Sequence, residues 1–352
     1  MDFVTINSPP GVSSSDDLAA RIEFYGLGLV SRNARRYVSL GSPFAEPILV
    51  YGRWNQFHRV LRRIRGGVFW VDEQLNPEAG WQWCDLALYV YLRQGNRVPD
   101  RRGVLAKVGG ELAKKFQQCY LFGTGPSLAH AMTRDWGDGI RIVCNTVVRD
   151  SALWKHINPH FIVAGDGIYH FGYTPHARAF RRDLALRLTE TDTYFVFPER
   201  FYPVVEKDLK TVLGRVIPVP VESRRSLLGP PLDSFTLPGL PNVLNMLLLP
   251  LGCALSKNIG LWGFDGRAPK DTLFWANSNA QSYPELMDSL RVAHPAFFNH
   301  NVPKDDPTKY VKAVHGDLLE GLLSTAEGAG WKFEMLHKSW TPTLAKREKK
   351  TL

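Results

Sequence analysis

The chain has 352 residues, enough for two domains or one large one, and 44% hydrophobic with 22% charged residues is the composition of a folded globular protein. Collagen-like repeats, coiled coils and wholly disordered chains are excluded. Forty-three Lys and Arg against 34 Asp and Glu give a formal net charge of +9, which favours an anionic partner: a nucleotide, an acidic glycan or a membrane surface.

The first 17 residues and the last nine are loosely composed and read as lacking regular structure, the C-terminal LAKREKKTL being basic and polar. MDFVTINSPPGVSSSDD has neither a basic n-region nor an apolar h-region, so no secretory signal is expected. ILVYGRW and GVFWVDE read as strands, and WCDLALYVYLRQ and VLAKVGGELAKKFQQ as helices. Together they suggest a smaller α/β domain over residues 1–115. Within it, GRWNQFHRVLRRIRGG gathers Arg53, Arg59, Arg62, Arg63 and Arg65. That cluster reads as a solvated helix face or as a contact for an anionic acceptor or membrane. Trp54, Trp70, Trp81 and Trp83 read as packing residues.

From residue 116 onward, apolar runs alternate with amphipathic ones: CYLF, a helix from Ser127, IRIVCN, ALWKHI, HFIVAGDG, ARAFRRDLALRLTE, TYFVFPE, VVEKDLKTVLG and RVIPVPV. A buried helix near 242–256 follows, then the strand NIGLWGFDG, helices at SYPELMDSLRVA and HGDLLEGLLSTAEGAG, and a last strand WKFEML. This alternation is the mark of β-α-β units, so the fold class is α/β with a Rossmann-like parallel-sheet core over residues 116–352. The apolar run Met246 to Leu255 is too short to span a bilayer. Four widely spaced cysteines, Cys84, Cys119, Cys144 and Cys253, suggest neither a zinc site nor a disulfide framework, and a reducing compartment suits them.

The sharpest local signal is Gly123-Thr124-Gly125-Pro126-Ser127-Leu128, directly after the strand CYLF. Glycines at a strand-to-helix turn allow close approach, and free N–H groups at the helix start suit an anion. A side chain at Gly125 is expected to collide with the nucleotide or strain the backbone. The third glycine of the dinucleotide fingerprint and the Gly-Lys-Ser/Thr of a P-loop are both missing, which argues against NAD and P-loop NTPase readings. Asn145, Asp166 and Asp265 stand at the carboxyl ends of three further strands, where open parallel sheets bind ligands; each is equally placed to cap the turn that follows.

GTGPSL, then CN at the next strand, then an apolar helix running into LGCALSKNIGLWGFDG resembles the bacterial lipooligosaccharide sialyltransferases. It is also similar to proteins grouped with an archaeal pterin pyrophosphokinase. The resemblance covers residues 119 to about 340. It implies a CMP-sugar donor pocket, with the GTGPSL backbone and Asn145 around the nucleotide, Asp166 where that family has an asparagine, and Asn242 and Asn245 at the start of a helix that helps hold the donor sugar. It implies His315 as the base that takes the proton of the acceptor hydroxyl, with Asp317 raising its basicity; His294 and His300 are the competing histidines. The family's tyrosines after the G-x-D segment are missing here, and Arg267 and Lys270 are available to neutralise the leaving phosphate.

No two of the twenty aspartates are separated by a single residue. A metal-independent mechanism without a cofactor is therefore expected. The function that follows is a cytoplasmic glycosyltransferase, peripheral at the inner membrane face, moving an acidic sugar from a CMP donor to a glycan acceptor in lipopolysaccharide or capsule synthesis, with no nucleic-acid partner. A pterin-type pyrophosphokinase using ATP and magnesium on Asp166 and Asp265, or a non-catalytic nucleotide-binding protein, are the alternatives.

Overall fold

The computed structural model describes residues 3–7, 15–31, 47–51, 67–71, 78–266, 282–295 and 312–349. In chain order its strands are β1 (Phe3–Asn7), β2 (Gly28–Ser31), β3 (Ile48–Tyr51), β4 (Val68–Val71), β5 (Gln118–Phe122), β6 (Gly139–Cys144), β7 (Phe161–Val163), β8 (Tyr194–Pro198), β9 (Val216–Val219), β10 (Val221–Glu222), β11 (Leu237–Pro238), β12 (Asn258–Trp262) and β13 (Lys332–Met335).

The fold is α/β with a Rossmann-like core. Seven strands form one parallel sheet in the order β13-β12-β5-β6-β7-β8-β9. Its strands are near-continuous runs of buried residues because helices cover both faces. Cys119 and Leu121 of β5 point to one side with Ile142, Val163, Ile217 and Leu261; the intervening Tyr120 and Phe122 point to the other with Val143, Ile162 and Phe195. On the first side lie the helices Arg102–Lys115, Leu249–Leu255 and Leu318–Gly328; on the second lie Gly80–Arg93, Ser151–Ile157, Pro175–Glu190 and Tyr202–Asp208.

The chain runs outward from β5 to β9, then returns through the Leu244–Leu255 helix to lay β12 beside β5. The strand order thus reverses between β5 and β12. Open α/β sheets bind ligands outside the carboxyl ends of their strands at such a reversal, so the loops after β5, β6 and β12 are the place to look for a site.

Four more strands make a second parallel sheet, β2-β1-β3-β4. The expected strands ILVYGRW and GVFWVDE supply β3 and β4, whereas β1 and the first turn of the helix Ser15–Phe24 correct the expectation that the first 17 residues lack regular structure; the rest of that helix and β2 are additional elements. FVTIN is only five residues long and SDDLAARIEF is weakly amphipathic, so neither stands out until its neighbours are known. Tyr25 stacks on Trp83 with ring centroids 5.3 Å apart, and Arg21 pairs with the buried Glu78, whose other oxygen accepts the Tyr173 N–H at 2.7 Å. Leu105 of the helix before residue 116 is buried in the cluster of the large sheet. Trp83 is buried as expected and Trp81 is partly so; Trp54 and the Arg53–Arg65 cluster lie outside the described residues.

The C-terminal end is also ordered, contrary to expectation. A short helix Pro342–Ala345 precedes Arg347, whose guanidinium pairs with Glu320 and Glu327, and the backbone of 347–349 bonds to Met335 on both sides, at 2.7 and 2.9 Å. Charge made this tail read as solvated; the carboxylates that hold it are on a helix twenty residues upstream. All four cysteines are free and buried, and burial pushes the Cys144 and Cys253 thiols up to about 12, which favours the protonated thiol at neutral pH.

Candidate functional site

The glycine turn after β5 is interlocked with the loop after β12. Gly123 N–H donates to the Trp262 carbonyl and Gly125 N–H to the Gly263 carbonyl, both at 2.8 Å. A Cβ on Gly123 would lie 2.5 Å from the Gly263 oxygen, one on Gly125 2.2 Å from Asp265 Oδ2, and one on Gly263, whose φ is +79°, 2.4 Å from the Gly123 oxygen. Two loops meet here with room only for hydrogen atoms.

Pro126 opens a 3-10 helix, Pro126–Thr133, in place of the α-helix expected from Ser127. Its free amino-terminal groups are met by Asp265: Ser127 N–H donates to Oδ1 and Oδ2 at 3.1 and 3.2 Å, and Ser127 Oγ donates to Oδ2 at 2.8 Å. A carboxylate of the protein therefore occupies the position where an external anion was expected. His337 completes the arrangement, its Nε2 accepting the Gly263 N–H at 2.9 Å and lying 2.8 Å from Ser127 Oγ, with Nδ1 2.7 Å from the Lys338 carbonyl. That pattern assigns the proton to Nδ1. Sequence reasoning gave His337 no role; nothing in LHKS marks it before the β12 loop is seen against it.

One strand over, the polar groups are unfilled. Asn145 directly follows β6 with φ +51°, in the left-handed region that asparagine tolerates, and its Oδ1 is buried without a partner among the described residues. Asn242, at φ +60°, accepts the Asn245 N–H on Oδ1 at 2.9 Å and leaves Nδ2 buried and unpaired. Asn245 is 0% exposed, and neither of its amide atoms has a partner among the described residues. It sits in a π-helical turn, Leu244–Leu248, that packs against β6; such turns recur at functional sites. Each unpaired buried group costs roughly 1–3 kcal/mol. Two donors and two acceptors with no formal charge match the edge of a nucleobase or the hydroxyls and amides of a sugar.

The remaining predicted residues are dispersed. Thr124 is half-buried and Pro126 exposed at the interlocked turn. Asp166 Oδ1 accepts the N–H groups of Ile168 and Tyr169 at 2.7 and 2.8 Å, which is the turn-capping role, and burial raises its pKa against the opposing pull of those bonds. His315 lies in a second π-helical turn, Lys312–Asp317. Thr343 Oγ1 donates to the adjoining Gly316 carbonyl at 3.3 Å, and Thr341, two residues earlier, packs on Gly266 of the β12 loop. Burial lowers the His315 pKa to about 4, opposite to the rise expected from Asp317. His294 is lowered to about 4 by the same cause. Arg267, Lys270 and His300 lie outside the described residues. No helix among the described residues is long and apolar enough to cross a membrane, and none of their His, Cys, Asp and Glu side chains gather in threes suited to a metal. No protein-family model and no curated protein sequence matches the chain.

Proposed function

We propose that the protein is a glycosyltransferase that takes a sugar from a CMP-class donor, with the neutral part of the donor held by Asn145, Asn242 and Asn245. The buried unpaired amides of Asn145, Asn242 and Asn245 carry the reading, because uncharged donors and acceptors suit a pyrimidine and sugar. In the reaction, the acceptor hydroxyl oxygen attacks the anomeric carbon and its proton passes to the His315 ring. The bond from that carbon to the phosphate oxygen breaks, and CMP leaves with the electron pair. Lowered to about 4, His315 is neutral at pH 7, the form a general base requires. Since Asp265 fills the helix start after the glycine turn, the phosphate is assigned to Arg267 and Lys270 instead. A cytoplasmic protein that meets a glycan acceptor at the inner membrane face is the setting of this reading.

The pyrophosphokinase alternative draws less support, because Asp166 and Asp265 both spend carboxylate oxygens on backbone N–H groups. Calorimetry tests the choice: CMP should bind equally well with and without a chelator. Binding of ATP with magnesium and none of CMP would overturn it. His315→Ala should lower kcat by roughly two to four powers of ten with CMP affinity unchanged, the result expected of a general base; CMP binding without any turnover to lose would leave a nucleotide-binding protein.

A further inference from the structure

Asp166 has a carboxylate oxygen that its turn does not use. Oδ1 accepts the N–H groups of Ile168 and Tyr169 at 2.7 and 2.8 Å, while Oδ2 has no hydrogen bond and no ion pair among the described residues. None of their cations stands close enough to oppose the burial that raises its pKa. Capping two N–H groups takes one oxygen, and asparagine or serine supplies it without a charge. A carboxylate with no counter-charge at the ligand edge of a parallel sheet therefore points beyond the turn.

The unused oxygen belongs to the corner of the unpaired amides. β6 and β7 pair with Cys144 opposite Val163, so Asn145 and Asp166 follow the carboxyl ends of neighbouring strands, about 4.8 Å apart. The π-helical turn that carries Asn245 packs against the residue before Asp166: a Cβ on Gly165 would lie 2.7 Å from both Leu247 Cδ1 and Met246 Cε. Asp166 remains partly exposed, so a ligand can reach it.

We infer that Asp166 Oδ2 selects the base, accepting a hydrogen bond from the exocyclic amino group of cytosine and rejecting uracil, whose O4 carries no hydrogen. The inference rests on the nucleotide reading proposed above. Asn242 Nδ2 and Asn245 Nδ2 are both unpaired, and they are donors for the N3 and O2 acceptors of cytosine. One acceptor with two donors complements the edge of cytosine and mismatches that of uracil at O4 and at N3–H.

Calorimetry with CMP and UMP on the full chain tests it. CMP should bind about 10- to 100-fold more tightly than UMP, the range of one hydrogen bond to a charged group. Asp166→Asn keeps an oxygen for Ile168 and Tyr169 and turns the free oxygen into an N–H donor, which suits O4. It should weaken CMP and strengthen UMP, so that the preference disappears or reverses. Asp166→Ser, which retains a capping oxygen and deletes the free one, serves where the asparagine variant does not fold, and it should erase the preference. Equal binding of CMP and UMP to the unaltered protein overturns the inference and leaves the nucleotide reading standing. A variant that keeps the preference, or that loses both nucleotides alike, overturns it too and confines Asp166 to its turn. If CMP does not bind the unaltered protein at all, the nucleotide reading fails and this inference with it.

Discussion

The loops that follow β5 and β6 lie side by side on one edge of the sheet and differ in what they leave undone. After β5, Gly123, Gly125 and Ser127 spend their N–H groups on Trp262, Gly263 and Asp265. After β6, Asn145 leaves a buried acceptor open, and the neighbouring Asn242 and Asn245 leave three more polar atoms open. Glycines therefore mark where two loops of the protein close on each other, and unpaired amides mark where something else can be received. A motif rich in glycine is evidence of close approach, and the partner that approaches has to be identified separately.

The strongest way to break this contrast is Gly125→Val. Its Cβ would lie 2.2 Å from Asp265 Oδ2 and 2.7 Å from the Gly263 oxygen, so the β12 loop must move. Urea unfolding should show a loss of about 3 kcal/mol, the upper part of the usual overpacking range. If the variant keeps its stability and loses only nucleotide binding, the turn is a ligand seat and the contrast is wrong.

Asn245→Leu sharpens the other half. Leucine has nearly the volume of asparagine plus a methyl and removes both unpaired atoms, so the free protein should be unchanged or stabilised by about 1 kcal/mol. CMP affinity measured by calorimetry should fall roughly 10- to 100-fold, the worth of one or two hydrogen bonds made only with ligand. A large loss of stability would mean that the amide is structural.

A smaller effect is expected at Asp265. Asp265→Asn keeps the shape and can still accept from Ser127 but without charge, so stability should fall by about 1 kcal/mol. An unchanged unfolding midpoint would mean that the contacts at 2.8 to 3.2 Å from Ser127 contribute nothing to the interlock.

The parallel sheet was legible because apolar runs and amphipathic runs alternate from Cys119 to Met335, and burial on both faces leaves no other way to hide them. Asn145, Asn242 and Asn245 were legible as strand-end and helix-start residues, but their unpaired state was not, since it depends on which groups fail to reach them. Asp265 could be placed at a strand end; that it caps Ser127, 138 positions earlier, follows only from β12 lying beside β5. The same holds for His337. Nor does sequence spacing reveal that Asn245 and His315 both fall in π-helical turns, because a one-residue widening of a helix leaves the apolar pattern almost intact.

At pH 7 no stability effect of protonation is expected at His315; it appears only on acidification, because burial holds the pKa at about 4 against 6.5 for a free histidine. Between those values the unfolded chain binds a proton that the folded chain refuses. Stability from this group is therefore complete above pH 6.5, falls as pH drops toward 4, and levels off below. His294 and His160, lowered to about 4 and about 3, act in the same sense and share the slope. His315→Gln should flatten the dependence by one proton's share, seen by comparing urea unfolding at pH 7 and pH 4.5 in both proteins. In the active protein the acidic limb of kcat/KM should lie near pH 4, because the free enzyme keeps His315 neutral down to there. An unchanged stability slope together with an acidic limb near 6.5 would mean that His315 is solvated in the folded chain, and the proton acceptor would have to be sought among the other histidines of this edge.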